Sequence, residues 1–276
     1  MSVCNYNIPS PPSGTITKIT AGGVQSIFAS GLADPMGLAL DSAGNLFQAD
    51  YYSGNIYEFT PDGTRSIFAS GLDVPVALTL NSADDLFEAD YYSGNIYEFT
   101  PGGAKSTFAS GLDAPMALAF NRAGDLFEAD QGSGNIYEFT PGGTKSTFAS
   151  GLDGLYGLAV NSTGNLFEAD GGSGNVYEFT PGRAKSTFAS GLDDPDALAL
   201  DSAGDLFVSD LSGNIYEYTP DGTRSTFASE LEVPDGLAFQ AAPEPSVLEF
   251  LAIGATAFLV RRRRKLATWV AGKASP

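Results

Sequence analysis

The chain has 276 residues, room for one large domain or two small ones, with 33 glycines, a net charge of −19 and no histidine. Lack of histidine excludes the His-dependent serine and cysteine triads, imidazole general bases and His-ligated zinc, and a lone Cys4 excludes an internal disulfide. Residues 1–245 hold 8 basic against 32 acidic residues, net −24; so acidic a body repels phosphate backbones, and nucleic acid is not an expected partner.

Residues 1–12 carry neither the basic start nor the apolar core of a signal peptide and read as an irregular segment. Residues 13–30, SGTITKITAGGVQSIFAS, match the second half of a unit that then repeats in full. The unit is clearest in GLDVPVALTLNSADDLFEADYYSGNIYEFTPGGAKSTFAS, residues 71–110. It recurs at a 40-residue step over 31–70, 71–110, 111–150 and 151–190, with a 39-residue copy at 191–229. Each copy has four short apolar runs, in this one 76–80, 86–89, 95–99 and 106–109, separated by Gly, Asn, Asp and Pro turns. Four antiparallel strands per 40 residues is the arithmetic of a propeller blade, which buries its apolar faces only against its neighbours.

Residues 230–240, ELEVPDGLAFQ, supply only a first strand. Joined to 13–30 they close a ring, so the predicted fold is all-β, a six-bladed β-propeller over 13–240: five complete blades plus one shared between the ends. Closure removes exposed edges. The second strand of the shared blade is missing from the pattern. The two stretches beside it, Gln240–Pro245 and Tyr6–Pro12, are rich in proline and make poor strands. The expectation is therefore that the missing strand, with a signal peptide, lies upstream of Met1; a three-stranded closing blade is the alternative.

The recurring P-x-G/A-L-A-hydrophobic-D/N, G-N/D-L-F, A/S-D and S-G-N-hydrophobic-Y-E elements resemble NHL repeats and are similar to the gluconolactonase and streptogramin-lyase group of six-bladed propellers. After Phe239 the composition changes. Pro243-Glu244-Pro245, an apolar run over 246–260 and the cluster Arg261, Arg262, Arg263, Arg264 and Lys265 follow in order. This arrangement resembles the PEP-CTERM sorting signal. The resemblance implies a sorting and anchor segment over 241–265 with a membrane helix at 246–260, a tail at 266–276, and processing by an exosortase. It also implies export, anchorage in the inner membrane before processing, and a final place at the cell surface or in the extracellular matrix. Physics is less generous to the helix, because the fourteen residues of the apolar run 247–260 reach ~21 Å as a helix across a hydrocarbon core of ~30 Å.

Three sets of residues are candidates for function. The resemblance to gluconolactonase-like enzymes points to the channel-mouth positions before the first-strand glycine, here Met36, Val76, Met116, Tyr156, Asp196 and Asp235. Asp196 and Asp235 could hold Ca2+ or another divalent cation weakly, or be solvated turn residues after Pro195 and Pro234. The second-strand ends give a ring of Asp50, Asp90, Asp130, Asp170 and Asp210, which reads as acceptors for their own loops. Tyr51-Tyr52 and Tyr91-Tyr92 occupy one loop in consecutive blades, and with Tyr156 they break the repeat's symmetry; they suit a sugar or protein face, or else pack on the blades. The reading that follows is a binding or matrix module for polysaccharide or surface protein, without catalysis. Its alternative is a metal-dependent lactonase or lyase using Asp196 and Asp235.

Overall fold

The computed structural model describes residues 14–19, 24–231, 233–240 and 249–254. Every regular element among them is a strand. Strands β1 (Gly14–Ile19) and β2 (Gln25–Leu32) come first, then five four-stranded blades, each built from one repeat. These are β3–β6 (Pro35–Leu40, Leu46–Asp50, Asn55–Phe59, Arg65–Ala69), β7–β10 (Pro75–Leu80, Leu86–Asp90, Asn95–Phe99, Lys105–Ala109) and β11–β14 (Pro115–Phe120, Leu126–Asp130, Asn135–Phe139, Lys145–Ser150). The fourth and fifth are β15–β18 (Leu155–Val160, Leu166–Asp170, Asn175–Phe179, Lys185–Ser190) and β19–β22 (Pro195–Leu200, Leu206–Asp210, Asn214–Tyr218, Arg224–Ala228). Two further strands, β23 (Gly236–Gln240) and β24 (Glu249–Gly254), follow.

Side-chain alternation explains how the blades stack. In LFEAD of β8, Phe87 and Ala89 face the next blade, where they join a core with Leu118, Leu126 and Phe139. The fourth-strand phenylalanine is the hinge of this packing. Phe108 stands edge-on to Phe87 of its own blade at 5.1 Å and against Phe139 of the next at 5.8 Å, and Phe68, Phe148 and Phe188 repeat the arrangement. The third-strand tyrosines pack differently, each under a cation from its own fourth strand, as in Lys105 at 3.4 Å over Tyr97.

Backbone turns join each blade to the next on the loop face. In the first blade the Leu72 N–H donates to the Gly54 carbonyl at 3.1 Å. Gly54 has φ +63°, and a Cβ there would come within 2.5 Å of the Leu72 carbonyl oxygen. Only glycine fits such a close approach, which is why S-G-N recurs in every copy.

The two chain ends meet in a sheet of order β2-β1-β24-β23, and β23 lies between β19 and β3. Its second strand corrects the expectation that this strand precedes Met1, for it is Glu249–Gly254. Residues 241–245 and 6–12 lie outside the described residues. It also corrects the membrane helix expected over 246–260, since 249–254 are extended and pair with both β1 and β23. The physical reason is the ladder: β1 and β23 each present an unpaired edge, and a short apolar run satisfies both at once. Among the described residues no helix is long and apolar enough to cross a membrane. Pro243, Glu244, Pro245 and Arg261 to Arg264 lie outside the described residues.

Candidate functional site

The face where fourth strands run into first strands, and second into third, carries all the candidates. Four of the five second-strand aspartates stitch two loops together. Asp90 accepts from the Asp73 N–H at 2.7 Å and from the Ser93 N–H at 3.1 Å. Asp50, Asp130 and Asp170 repeat the pair of bonds, and Asp210 bonds within its own shorter loop. The carboxylate ring is thus consumed by backbone donors, as an Asx-turn reading predicts.

The first strands bring Val76, Met116, Tyr156, Asp196 and Asp235 around a narrow central channel of about 90 Å³. One side of the wall is carboxyl and phenol, the other Val76 and Met116. Asp196 and Asp235 hydrogen-bond to each other, and burial pushes both carboxyls well above the usual range. Neighbouring carboxylates raise them further: Asp194 acts on Asp196, and Asp196 and Asp34 act on Asp235. Two acids in contact hold a proton between them more readily than two charges. Asp34 joins this group from the β2–β3 turn; burial, then Asp50, lifts its carboxyl to about 6. Sequence reasoning missed Asp34 because it stands two residues before the aligned channel position.

Asp196, Asp235 and the Tyr156 phenol are the side-chain oxygens at this mouth, and the facing valine and methionine add none to the six or more that a divalent cation takes. Among the described residues no three His, Cys, Asp or Glu side chains are placed to share a metal.

The tyrosines divide into two places. Tyr156 lines the channel, and its ring packs against Gly171, where a Cβ would come within 2.5 Å of it. The glycine pair that replaces the tyrosines in that blade is what makes room for Tyr156, a link the repeat alignment leaves invisible. Tyr51 and Tyr91 pack onto the core between the second and third blades with Val74 and Met116. Tyr52 and Tyr92 stand edge-on to them at 5.0 and 5.3 Å and are 41% and 65% exposed. So the first of each pair is packing and the second is surface. Val74, between the pairs, has φ +70°, and Ala114, Gly154 and Asp194 at the same repeat position are left-handed as well, so this turn belongs to the repeat rather than to the tyrosines.

No family model and no characterised sequence matches the chain. Solved structures do, at identities that speak for the fold alone. A gluconolactonase from Xanthomonas campestris aligns at 17% identity and a TM-score of 0.74, over 89% of this chain and 98% of that one. A virginiamycin B lyase from Staphylococcus aureus aligns at 14% and 0.66, over 87% and 88%. A chain of the nidogen/laminin complex aligns at 17% and 0.69, over 78% and 93%. The fold is therefore a β-propeller of the shape shared by gluconolactonase-like and streptogramin-lyase propellers.

Proposed function

We propose that this chain, with its terminal sheet as the sixth blade, is an exported binding module that holds a polysaccharide or surface protein on its loop face. The observation that carries this reading is the pair of exposed rings, Tyr52 and Tyr92, each propped by a half-buried neighbour in consecutive blades. A propped ring loses little entropy on contact and offers an apolar face with a hydroxyl at its edge. Export rests on the Pro243-Glu244-Pro245 and Arg261–Arg264 pattern in the sequence. A chain of the nidogen/laminin complex shares this shape, which supports a reading in which the propeller holds another protein.

Tyr52→Ala combined with Tyr92→Ala is expected to weaken retention on a cell-surface polysaccharide or protein fraction about thirtyfold, ~2 kcal/mol for a contact of hot-spot quality. Thermal unfolding should stay within a degree or two. Unchanged retention would remove the tyrosines from any site.

The names of the neighbours favour a second reading, a lactonase or lyase working at Asp196 and Asp235. A channel of about 90 Å³ and a carboxyl pair closed on itself weigh against it. Turnover of simple aldonolactones above buffer with calcium, magnesium, manganese or zinc, abolished by Asp196→Ala, would reverse the order of the two readings.

A further inference from the structure

We infer that a cavity at the far end of the central channel, on the face opposite the tyrosines, binds a hydroxylated monocarboxylate of the uronic-acid class, with Arg122 holding its carboxylate. The first strands β11, β15 and β19 start at the channel mouth and end at Phe120, Val160 and Leu200, which form the apolar part of the cavity lining. The turns after those strands make the rest, and the volume is about 460 Å³. Pockets for small molecules run from roughly 300 to 1,000 Å³. This end of the channel is therefore wide enough for a ligand. Two departures from the repeat coincide in it. The last residue of the first strand is Leu40, Leu80, Phe120, Val160 and Leu200 in successive blades, and two positions on stand Ser42, Ser82, Arg122, Ser162 and Ser202. The third blade thus brings both an aromatic ring and a cation to the cavity.

What each group has left to offer decides the ligand. These turns are rich in carboxylates, yet they spend them on their own donors. Asp41 accepts from the Asn45 N–H at 2.7 Å, Asp84 from the Ser42 N–H at 3.1 Å, and Asp85 and Asp125 each from an asparagine Nδ2 at 2.9 Å. Arg122 is the one cation in the turns 41–45, 81–85, 121–125, 161–165 and 201–205. Among the described residues its guanidinium has neither a hydrogen bond nor an ion pair. Asn161 Oδ1 accepts from the Thr163 and Asn165 N–H groups, and Asp201 Oδ1 from those of Ala203 and Asp205. That leaves Asn161 Nδ2 as a donor and Asp201 Oδ2 as an acceptor, with the Ser162 and Ser202 hydroxyls beside them. A guanidinium takes a carboxylate through two parallel N–H···O bonds. Asp201 can accept from a ligand hydroxyl, but it repels a second negative charge, as does a body of net −24. Half-buried Phe120, tilted edge-on to Phe87 at 4.9 Å, supplies an apolar surface for the C–H face of a sugar ring. A uronate carries all three complements: one carboxylate, several hydroxyls and an apolar ring face.

The repeat supplies the variant least apt to disturb the fold, since Arg122→Ser restores what four other blades carry at this position. In a calorimetric titration the full chain should bind D-glucuronate. Arg122→Ser should weaken that binding at least about tenfold, as loss of hydrogen bonds to a charged group does, with thermal unfolding unchanged. Arg122→Lys should fall between the two, because it keeps the charge and loses the fork. Glucose lacks the carboxylate, acetate lacks the hydroxyls and inorganic phosphate carries the second charge, so each should bind at least about tenfold more weakly than glucuronate. In an NMR titration the amide shifts should gather in the turns 121–125, 161–165 and 201–205. Tyr52→Ala with Tyr92→Ala should leave glucuronate affinity as it is, so this site and the loop-face reading stand or fall separately. Trigalacturonate distinguishes two sources of the same chemistry: binding at least as tight as the monomer's assigns the site to a uronate within a polysaccharide, and weaker binding to a free sugar acid. Equal glucuronate affinity in wild type and Arg122→Ser would overturn the inference. So would acetate or phosphate matching glucuronate, shifts confined to the loop face, or no glucuronate binding at all.

Discussion

At the scale of single residues, the least expected feature is a row of buried acids between blades. Glu88, Glu128 and Glu168 are 0% exposed, and neither carboxylate oxygen of any of them has a hydrogen-bond partner among the described residues. Burial raises all three carboxyls, with Asp90, Asp130 and Asp170 adding to it and Lys105, Lys145 and Lys185 opposing; Glu168 reaches about 8. A carboxyl raised above its unfolded value of 4.5 binds its proton more tightly in the fold. Stability from these groups is therefore fully present below the unfolded value and is lost as pH climbs from there through the folded value. Melting temperature should fall between pH 5 and 8, and Glu168→Gln should flatten that slope and gain ~2 kcal/mol at pH 8. The chain contains the neutral alternatives already, Gln48 and Val208 at the same position in the first and fifth blades. A steeper slope in the glutamine variant would contradict this account. Backbone geometry makes a second prediction. Gly94 has φ +64°, and a Cβ there would lie 2.4 Å from the Leu112 carbonyl oxygen, so Gly94→Ala should cost ~2 kcal/mol or more in denaturant titrations.

At the scale of elements, the sequence was legible wherever the repeat spoke. The runs at 76–80, 86–89, 95–99 and 106–109 became β7 to β10 within a residue or so, because turn residues bound them on both sides. Glu249–Gly254 was opaque for two physical reasons. A short apolar run carries no period that separates strand from helix, and it lacks the terminal Asp that marks every other second strand. The channel was half legible: alignment brings Asp196 and Asp235 to one mouth, but the packing of Tyr156 onto Gly171 needs three dimensions. The assignment of β24 is open to a direct test. Cutting the chain after Pro245 removes β24 and opens the edges of β1 and β23. The shortened propeller should melt lower by ~5 °C or more and exchange the β1 amides faster, since short strands in an isolated pair are marginal. If instead the shortened chain is as stable as the full one, the segment does not belong to the sheet, and an anchor reading of 246–260 regains its ground.

At the scale of the whole molecule, closure and charge act together. The inner strands form a continuous circuit in which β23 bridges β19 and β3, so the ring is held shut by hydrogen bonds from both chain ends. Residues 1–245 carry net −24, while six of the 14 basic residues lie beyond residue 260. Self-repulsion of the body strains any closed ring, and salt relieves it by screening over ~10 Å at 0.1 M. Melting temperature should therefore rise with sodium chloride from ~10 mM to ~0.5 M. Arg261 to Arg264 already offset part of that charge within the chain. The variant with Arg261 to Arg264 replaced by glutamine should accordingly start lower and gain more from salt than the wild type, the two converging near ~0.5 M, where screening replaces the arginines. Two parallel curves, offset by a constant amount at every salt concentration, would show that the arginines act on stability by some route other than the charge of the face.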